Sequence, residues 1–379
     1  MRLHPQTFGE RFGRHVRKHA RSVAKRGVTV VVSTALVAMH GLSLPANASE
    51  PRFLYKIGHD VDCTTSTGRL LFHSGGPVMS SVTAYLIFWL PSGVHFSSAV
   101  GDSSYENLIE RYFQDVGSTT FNDILTQYPG ANGTPTNSVT LGGFIVDTNP
   151  YPRAGSIGDP LLDSDLQNEI ATVIGNQGWP TGLDTLYLLF TGSGVQSCFD
   201  AGHTDCTFNT FCAYHYAFVL SGQPVVYANM PDGKSIGLCG SFNVNGDESA
   251  DVEISIMSHE HFEAANDPLL DAWFDSNGCE IADKCAYDYG PSIPPGDTTT
   301  PNVVLHGDPY RVQREWSNRV NRCALSSAEG VSAVPTFPPW ALATLLVSFL
   351  VLGAAVVQSR DVSRSSDCSA DTHEGNTAA

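Results

Sequence analysis

Apolar residues occur along the chain in short strand-like runs and in longer segments with a helical repeat. The runs that predict strands are 82–90, 139–146, 186–190, 217–220 and 225–227. The segments that predict helices are 105–114, 161–174 and 252–265, with starts at Ser104, at Asp159-Pro160 and at Asp251. Strands alternate with helices in the first half, and a hairpin-like pair precedes the last helix. The pattern predicts an α/β or α+β fold in a single domain at 49–330.

The N-terminal 48 residues have the pattern of a secretory signal peptide. A basic stretch ends at Arg26, an apolar run follows, and Ala46-Asn47-Ala48 offers a cleavage site. Ser33, His40 and Ser43 interrupt the apolar run, which favours cleavage over an uncleaved anchor. We therefore expect an exported protein whose mature chain begins near Ser49.

A second apolar run lies near the other end of the chain. Residues 340–357 are 18 uncharged residues after a Pro-rich stalk at 331–339, with Arg360 and Arg364 in the polar tail at 358–379. This pattern predicts a single transmembrane helix that anchors the protein at the cell surface. Val334-Pro335-Thr336 before the helix is similar to a bacterial sorting signal. Retention as an anchor and processing as a sorting signal both stay open.

Charge and cysteine content narrow the class of protein. The chain has 21 basic and 38 acidic residues, and residues 1–48 contain eight of the basic residues and one acid, Glu10. Residues 49–379 therefore have 13 basic and 37 acidic side chains and a net charge of −24. Such a chain repels phosphate backbones, so we expect no nucleic-acid partner.

Cys368 follows the apolar segment, and the other eight of the nine cysteines precede it. We expect these eight to form four disulfide bonds in an oxidising compartment. They are Cys63, Cys198, Cys206, Cys212, Cys239, Cys279, Cys285 and Cys323.

The segment with most chemical information is the last predicted helix. His259 and Glu263 stand four residues apart, hence on one face, and Glu260 lies beside them. This is the His-Glu-x-x-His arrangement of zinc metallopeptidases with Glu in place of the second His. Glu is an acceptable zinc ligand, and Glu260 takes the position of the general base. His261 points away from this face and is a poor ligand candidate.

A third ligand must come from elsewhere in the chain. Glu280 is the preferred candidate, and Asp283 is the alternative, because both follow the helix in a short acidic block. His215, on a predicted strand or loop, is a further candidate, although a structural histidine is the simpler interpretation. The expected cofactor is Zn²⁺, and the expected site is zincin-like.

The helix and the block after it resemble the EXORDIUM / phosphate-induced protein family of plant extracellular proteins and bacterial secreted proteins with the same block. The resemblance covers roughly residues 80–325. The residues that carry it are His259-Glu260-x-x-Glu263-Ala264-x-x-Asp267-Pro268, Ala272-Trp273-Phe274 and Glu280-Ile281-Ala282-Asp283-x-Cys285. The resemblance implies an extracellular, cell-wall-associated protein and no defined reaction.

Two functional hypotheses follow from these patterns. One is a membrane-tethered extracellular zinc metallohydrolase, peptidase-like, that acts on a peptide or cell-wall substrate. The other is a non-catalytic cell-surface module of the EXORDIUM type, in which the metal site is structural.

Overall fold

The computed structural model describes residues 53–55, 62–291, 294 and 296–329. The predicted signal peptide at 1–48, the stalk at 331–339, the membrane helix at 340–357 and the tail at 358–379 lie outside the described residues. Among the residues described, no helix has the length and apolar character needed to cross a membrane. The membrane anchor therefore stays a prediction.

Helices and strands alternate through most of this part of the chain. The helices are α1 Asp102–Asp115, α2 Asp163–Gln177, α3 Gly233–Ile236 and α4 Glu248–Asn266. The strands are β1 Phe53–Tyr55, β2 Leu71–Phe72, β3 Val82–Trp89, β4 Val139–Asp147, β5 Leu161–Leu162, β6 Thr185–Thr191, β7 Ser197–Cys198, β8 Phe211–Leu220, β9 Gln223–Pro231, β10 Trp273–Phe274, β11 Val303–Leu305, β12 Asp308–Tyr310, β13 Glu315–Ser317 and β14 Arg322–Ala324. Short 3₁₀ turns lie at Asp62–Thr65, Asn122–Gln127 and Asp283–Cys285.

A six-stranded mixed sheet forms the centre of the fold. Its strand order is β1-β8-β9-β6-β3-β4. The four strands β9, β6, β3 and β4 run parallel, whereas β8 pairs antiparallel with both β9 and β1. The chain passes from β3 through α1 to β4, and then through α2 back to β6 on the other side of β3. The predicted α/β class is thus confirmed.

The two faces of the sheet bury separate hydrophobic cores. Leu86 and Phe88 of β3 join α1 and α4 in one core, whereas Ile87 and Trp89 join α2 in the other. A strand covered on both faces needs apolar residues at successive positions, which explains the continuous runs in the sequence. His215 of β8 shares the parity of Ala213 and therefore faces the core that contains α4.

The predicted elements exist, but the predicted starts of all three helices were wrong. Helix α1 begins after Gly101, α2 after Leu162 and α4 after Asp247. The Asp247 carboxylate accepts a hydrogen bond from the Ala250 amide, as an N-cap does, whereas Asp251 lies within the first helical turn. The sequence misleads here because Gly101 and Leu162, which precede α1 and α2, are not typical capping residues, and because two acidic residues, Asp247 and Asp251, compete for the start of α4.

The eight cysteines before the C-terminal apolar segment form four disulfide bonds, as predicted. The pairs are Cys63–Cys279, Cys198–Cys206, Cys212–Cys239 and Cys285–Cys323. Cys279 and Cys285 flank the Glu280–Asp283 block, so each end of this block is bonded to a distant segment. The disulfides therefore hold the predicted third-ligand residues in place beside the helix.

Candidate metal centre

Helix α4 supplies the first ligand candidates and is buried around its whole circumference. Every residue from Ser249 to Asn266 is buried, including His259, Glu260 and Glu263 with no exposed surface. Buried charged groups are costly unless they are paired or bind a metal ion. The helix thus places three polar side chains where each needs a charged neighbour.

One side of the cluster contains His259, Glu263 and Asp283. The Nε2 atom of His259 lies 3.1 Å from Oε1 of Glu263 and 3.7 Å from Oδ1 of Asp283. The Asp283 amide donates a hydrogen bond to the same Glu263 oxygen, at 3.0 Å. On the far side of the ring, the Gln313 Nε2 amide donates to His259 Nδ1 at 2.9 Å. The block after the helix therefore folds back onto the face that carries His259 and Glu263.

The other side of the cluster contains His215, Glu260 and Glu263. His215 Nδ1 lies 3.7 Å from Oε2 of Glu260 and 3.6 Å from Oε2 of Glu263. Its Nε2–H donates to the Asp267 carbonyl oxygen at 3.2 Å, so the other ring nitrogen, Nδ1, faces the two carboxylates. Glu280 approaches the ring from the Nε2 side, with its Oε1 at 3.9 Å. The histidine from the sheet is therefore part of the same cluster.

These contacts form two overlapping sets of ligand atoms among the described residues. One set is His215, Glu260 and Glu263, and the other is His259, Glu263 and Asp283; within each, the atoms lie within 4.8 Å of one another. Glu263 belongs to both. Of the two third-ligand candidates, Asp283 lies near His259, whereas Glu280 lies near His215.

The pKa values show how the cluster balances its charge without a metal ion. Burial lowers the pKa of His215, but Glu280 and the other carboxylates outweigh burial and raise this pKa well above its ordinary value. Burial also acts on His259, yet Glu263 raises the pKa of His259 to about 10. Burial raises the pKa of Glu263, but His259 lowers it to about 2. The carboxylates thus favour protons on the two imidazoles, and a divalent ion would displace the protons that lie between the rings and the carboxylates.

Two other residues singled out in the sequence have structural roles. His261 lies on the opposite side of α4, where its Nδ1 is 3.2 Å from the Tyr112 hydroxyl. Cys212 is bonded to Cys239, as predicted for a cysteine of the exported domain.

Two residues close to the cluster were missed by sequence reasoning. Gln313 contacts His259, and Glu315 of β13 is fully buried with a pKa raised by burial. An acidic residue next to Trp316 in a short strand was the available signal for Glu315. No local pattern connects Gln313 with a histidine 54 residues earlier.

Comparison with protein-family models, with curated proteins and with solved structures found no match to this chain. The resemblance to the EXORDIUM family therefore stays a prediction. The class of protein is defined by the α/β fold and the buried His/carboxylate cluster alone.

Proposed function

We propose that this chain is an exported, membrane-tethered zinc-binding protein with a zincin-like, peptidase-like hydrolytic site. The observation that carries the proposal is the convergence of His259, Glu263, Asp283 and His215 in one buried cluster. Within the described residues, His215 Nδ1 and both Glu260 carboxylate oxygens have no hydrogen-bond partner. Buried polar atoms need a partner, and a bound cation would supply one.

The donor set fits Zn²⁺. Zinc binds imidazole nitrogen and carboxylate oxygen at about 2.0–2.2 Å, which puts tetrahedral ligand atoms about 3.3–3.6 Å apart. The separations of 3.1 and 3.7 Å around His259 and of 3.6 and 3.7 Å around His215 lie close to that range. Only small side-chain movements would bring either set onto an ion.

Each residue then has a distinct role. His259 and Glu263 hold the ion from the helix, and Asp283 or His215 completes the set, with Glu280 beside His215. Bound zinc supplies Lewis-acid chemistry for hydrolysis. Glu260 accepts the proton from the attacking water as general base.

The second candidate function is a non-catalytic cell-surface module of the EXORDIUM type with a structural metal ion. Complete burial favours it, because a structural zinc site is closed whereas a catalytic site keeps one position open to substrate.

The test pairs metal content with hydrolysis by the purified ectodomain. We expect at least one zinc per chain. The zinc content should fall in His259→Ala, be lost in Glu263→Ala and be unchanged in His261→Asn, which changes the same helix outside the cluster. Glu260→Gln should keep the fold and at least one bound zinc but lose hydrolysis of a peptide library. Absence of bound zinc after reconstitution of the folded wild type would end both candidate functions. Zinc without hydrolysis would assign the module function.

A further inference from the structure

Glu263 occupies a special position because its two carboxylate oxygens face different histidines. Oε1 lies 3.1 Å from His259 Nε2, and Oε2 lies 3.6 Å from His215 Nδ1. A carboxylate with one ligand nitrogen beside each oxygen has the geometry of a bridge between two metal ions. Metal ions in two-metal hydrolytic sites lie about 3.5–4 Å apart.

We propose that the cluster is a dinuclear centre, in which Glu263 bridges two divalent cations. One cation is bound by His215, Glu260 and Glu263, and the other by His259, Glu263 and Asp283. The inference rests on the proposed metal-binding function and extends it from one ion to two. Each position has one imidazole nitrogen, the shared carboxylate and one further carboxylate, so the two positions offer the same types of ligand atom.

The charge of the surroundings supports a second ion. Around the two imidazoles lie four carboxylates, each more than nine-tenths buried. They are Glu260, Glu263, Glu280 and Asp283. One divalent ion offsets only two of these charges, and an unbalanced buried charge is expensive. A second ion offsets two more.

Hydrogen bonds to the two histidines make the positions unequal. The Asp267 carbonyl accepts from His215 Nε2–H, the arrangement usual for a metal-binding histidine, and Nδ1 faces the carboxylates as the ligand atom. Gln313 instead donates to His259 Nδ1, which puts the imidazole proton on Nε2, between the ring and Glu263. A cation at His259 must displace that proton. The His215 position therefore fills first, and the His259 position fills second and more weakly.

Filling both positions leaves Glu260 able to act in hydrolysis. A carboxylate bound through Oε2 keeps its other oxygen, Oε1, for proton transfer. The dinuclear centre is thus compatible with the general-base role proposed for this residue.

The test measures how many ions bind and whether they are neighbours. Metal-free folded ectodomain is titrated with Zn²⁺, and with Mn²⁺ followed by electron paramagnetic resonance. We expect two equivalents with separate affinities, and an exchange-coupled Mn²⁺ spectrum in place of the six-line spectrum of isolated ions. His215→Ala and His259→Ala should each retain one equivalent and lose the coupling. Glu253→Gln, a buried acid two turns earlier on α4, is the matched control and should keep both equivalents.

The outcomes separate this inference from the proposed function. One equivalent in the wild type, with an uncoupled Mn²⁺ spectrum, would overturn the dinuclear centre and leave the single-ion function standing. No bound metal would overturn both. The wild-type titration and spectrum decide the matter even where a histidine variant does not fold.

Discussion

Gln313 determines which ring nitrogen of His259 carries the proton. Its Nε2 group donates both to His259 Nδ1 and to the Ala282 carbonyl, at 2.9 and 3.0 Å. A histidine that binds metal through Nε2 ordinarily donates its Nδ1–H to a carbonyl or carboxylate. The amide donor at this position thus opposes metal binding through His259 Nε2, because it favours the tautomer with the proton on Nε2.

Replacing Gln313 by Glu should therefore strengthen metal binding at His259. A carboxylate at this position accepts a hydrogen bond from Nδ1–H, and the Nε2 lone pair is then directed at Glu263 and Asp283. We expect the weaker zinc equivalent to bind about tenfold more tightly, measured by competition with a chromophoric chelator. Gln313→Leu, which removes the amide donor without adding an acceptor, should tighten binding less than Gln313→Glu does. Equal affinities for wild type and Gln313→Glu would contradict this role of Gln313.

The pKa of His261 is shifted in the opposite direction to the pKa values of His215 and His259. Burial lowers its pKa from 6.5 to about 3, so the folded protein keeps this imidazole neutral. Below about pH 6.5 the unfolded chain binds a proton that the folded chain does not, and stability falls as the pH falls towards 3.

Replacement of His261 by Asn should remove this pH dependence. Asn keeps a polar group near the Tyr112 hydroxyl and does not titrate. Between pH 7 and pH 5 the wild type should lose about 2 kcal/mol more unfolding free energy than His261→Asn, at about 1.4 kcal/mol per pH unit. Urea unfolding at both pH values measures the difference. Parallel pH profiles for the two proteins would show that His261 titrates normally in the fold.

At the scale of elements, the end of helix α4 and the loop after it are hydrogen-bonded to the segment before β3. The Met79 amide donates to the Ala265 carbonyl at the end of α4, and the His73 amide donates to the Ala272 carbonyl beyond it. Gly76 lies between these two bonds. A Cβ atom there would meet the Asp271 carbonyl oxygen at 2.2 Å and Ala272 Cα at 2.4 Å, both backbone atoms that cannot rotate away.

Gly76→Ala should therefore destabilise the fold, by about 1–3 kcal/mol. The matched control is Gly68→Ala, because a Cβ atom at Gly68 meets no heavy atom within 4 Å. We expect the control to change the unfolding free energy by less than about 1 kcal/mol. Chemical denaturation of the two variants measures both effects. Equal unfolding free energies for Gly76→Ala and Gly68→Ala would mean that the loop after α4 can shift away from the new Cβ atom with little loss of free energy.

The elements also show what the sequence could predict. The runs at 82–90 and 186–190 predicted β3 and β6 because burial on both faces leaves a local signature. The spacing of His259 and Glu263 predicted their common face, since helical geometry is local. The sequence did not reveal that Asp283 lies beside His259 and Glu280 beside His215, because a chain reversal and two disulfides determine that arrangement.

At the scale of the whole molecule, the disulfides differ greatly in the length of chain they close. Cys63–Cys279 spans 216 residues and ties the start of the described domain to the block after α4. Cys198–Cys206 spans only 8 residues within one loop. Because a crosslink restricts the unfolded chain more when its loop is longer, the first bond should contribute more stability.

Serine pairs at these two bonds test the difference. Chain entropy assigns about 5 kcal/mol to a loop of the length closed by Cys63–Cys279 and about 2.5 kcal/mol to the shorter one. We expect Cys63→Ser/Cys279→Ser to lose clearly more unfolding free energy than Cys198→Ser/Cys206→Ser, measured by urea unfolding without reductant. Equal losses would contradict the chain-entropy explanation. Loss of bound zinc only in the first pair would show that the bond also holds the cluster.

The candidate centre draws its side chains from β8, from α4 and from the block that ends at Asp283. No portion of the polypeptide that stops short of Asp283 contains a complete set at His259, however well it folds. Binding of an ion at His259 would thereby be a late step in biogenesis, after synthesis has passed this point. Such an ion would be drawn from the compartment in which folding is completed.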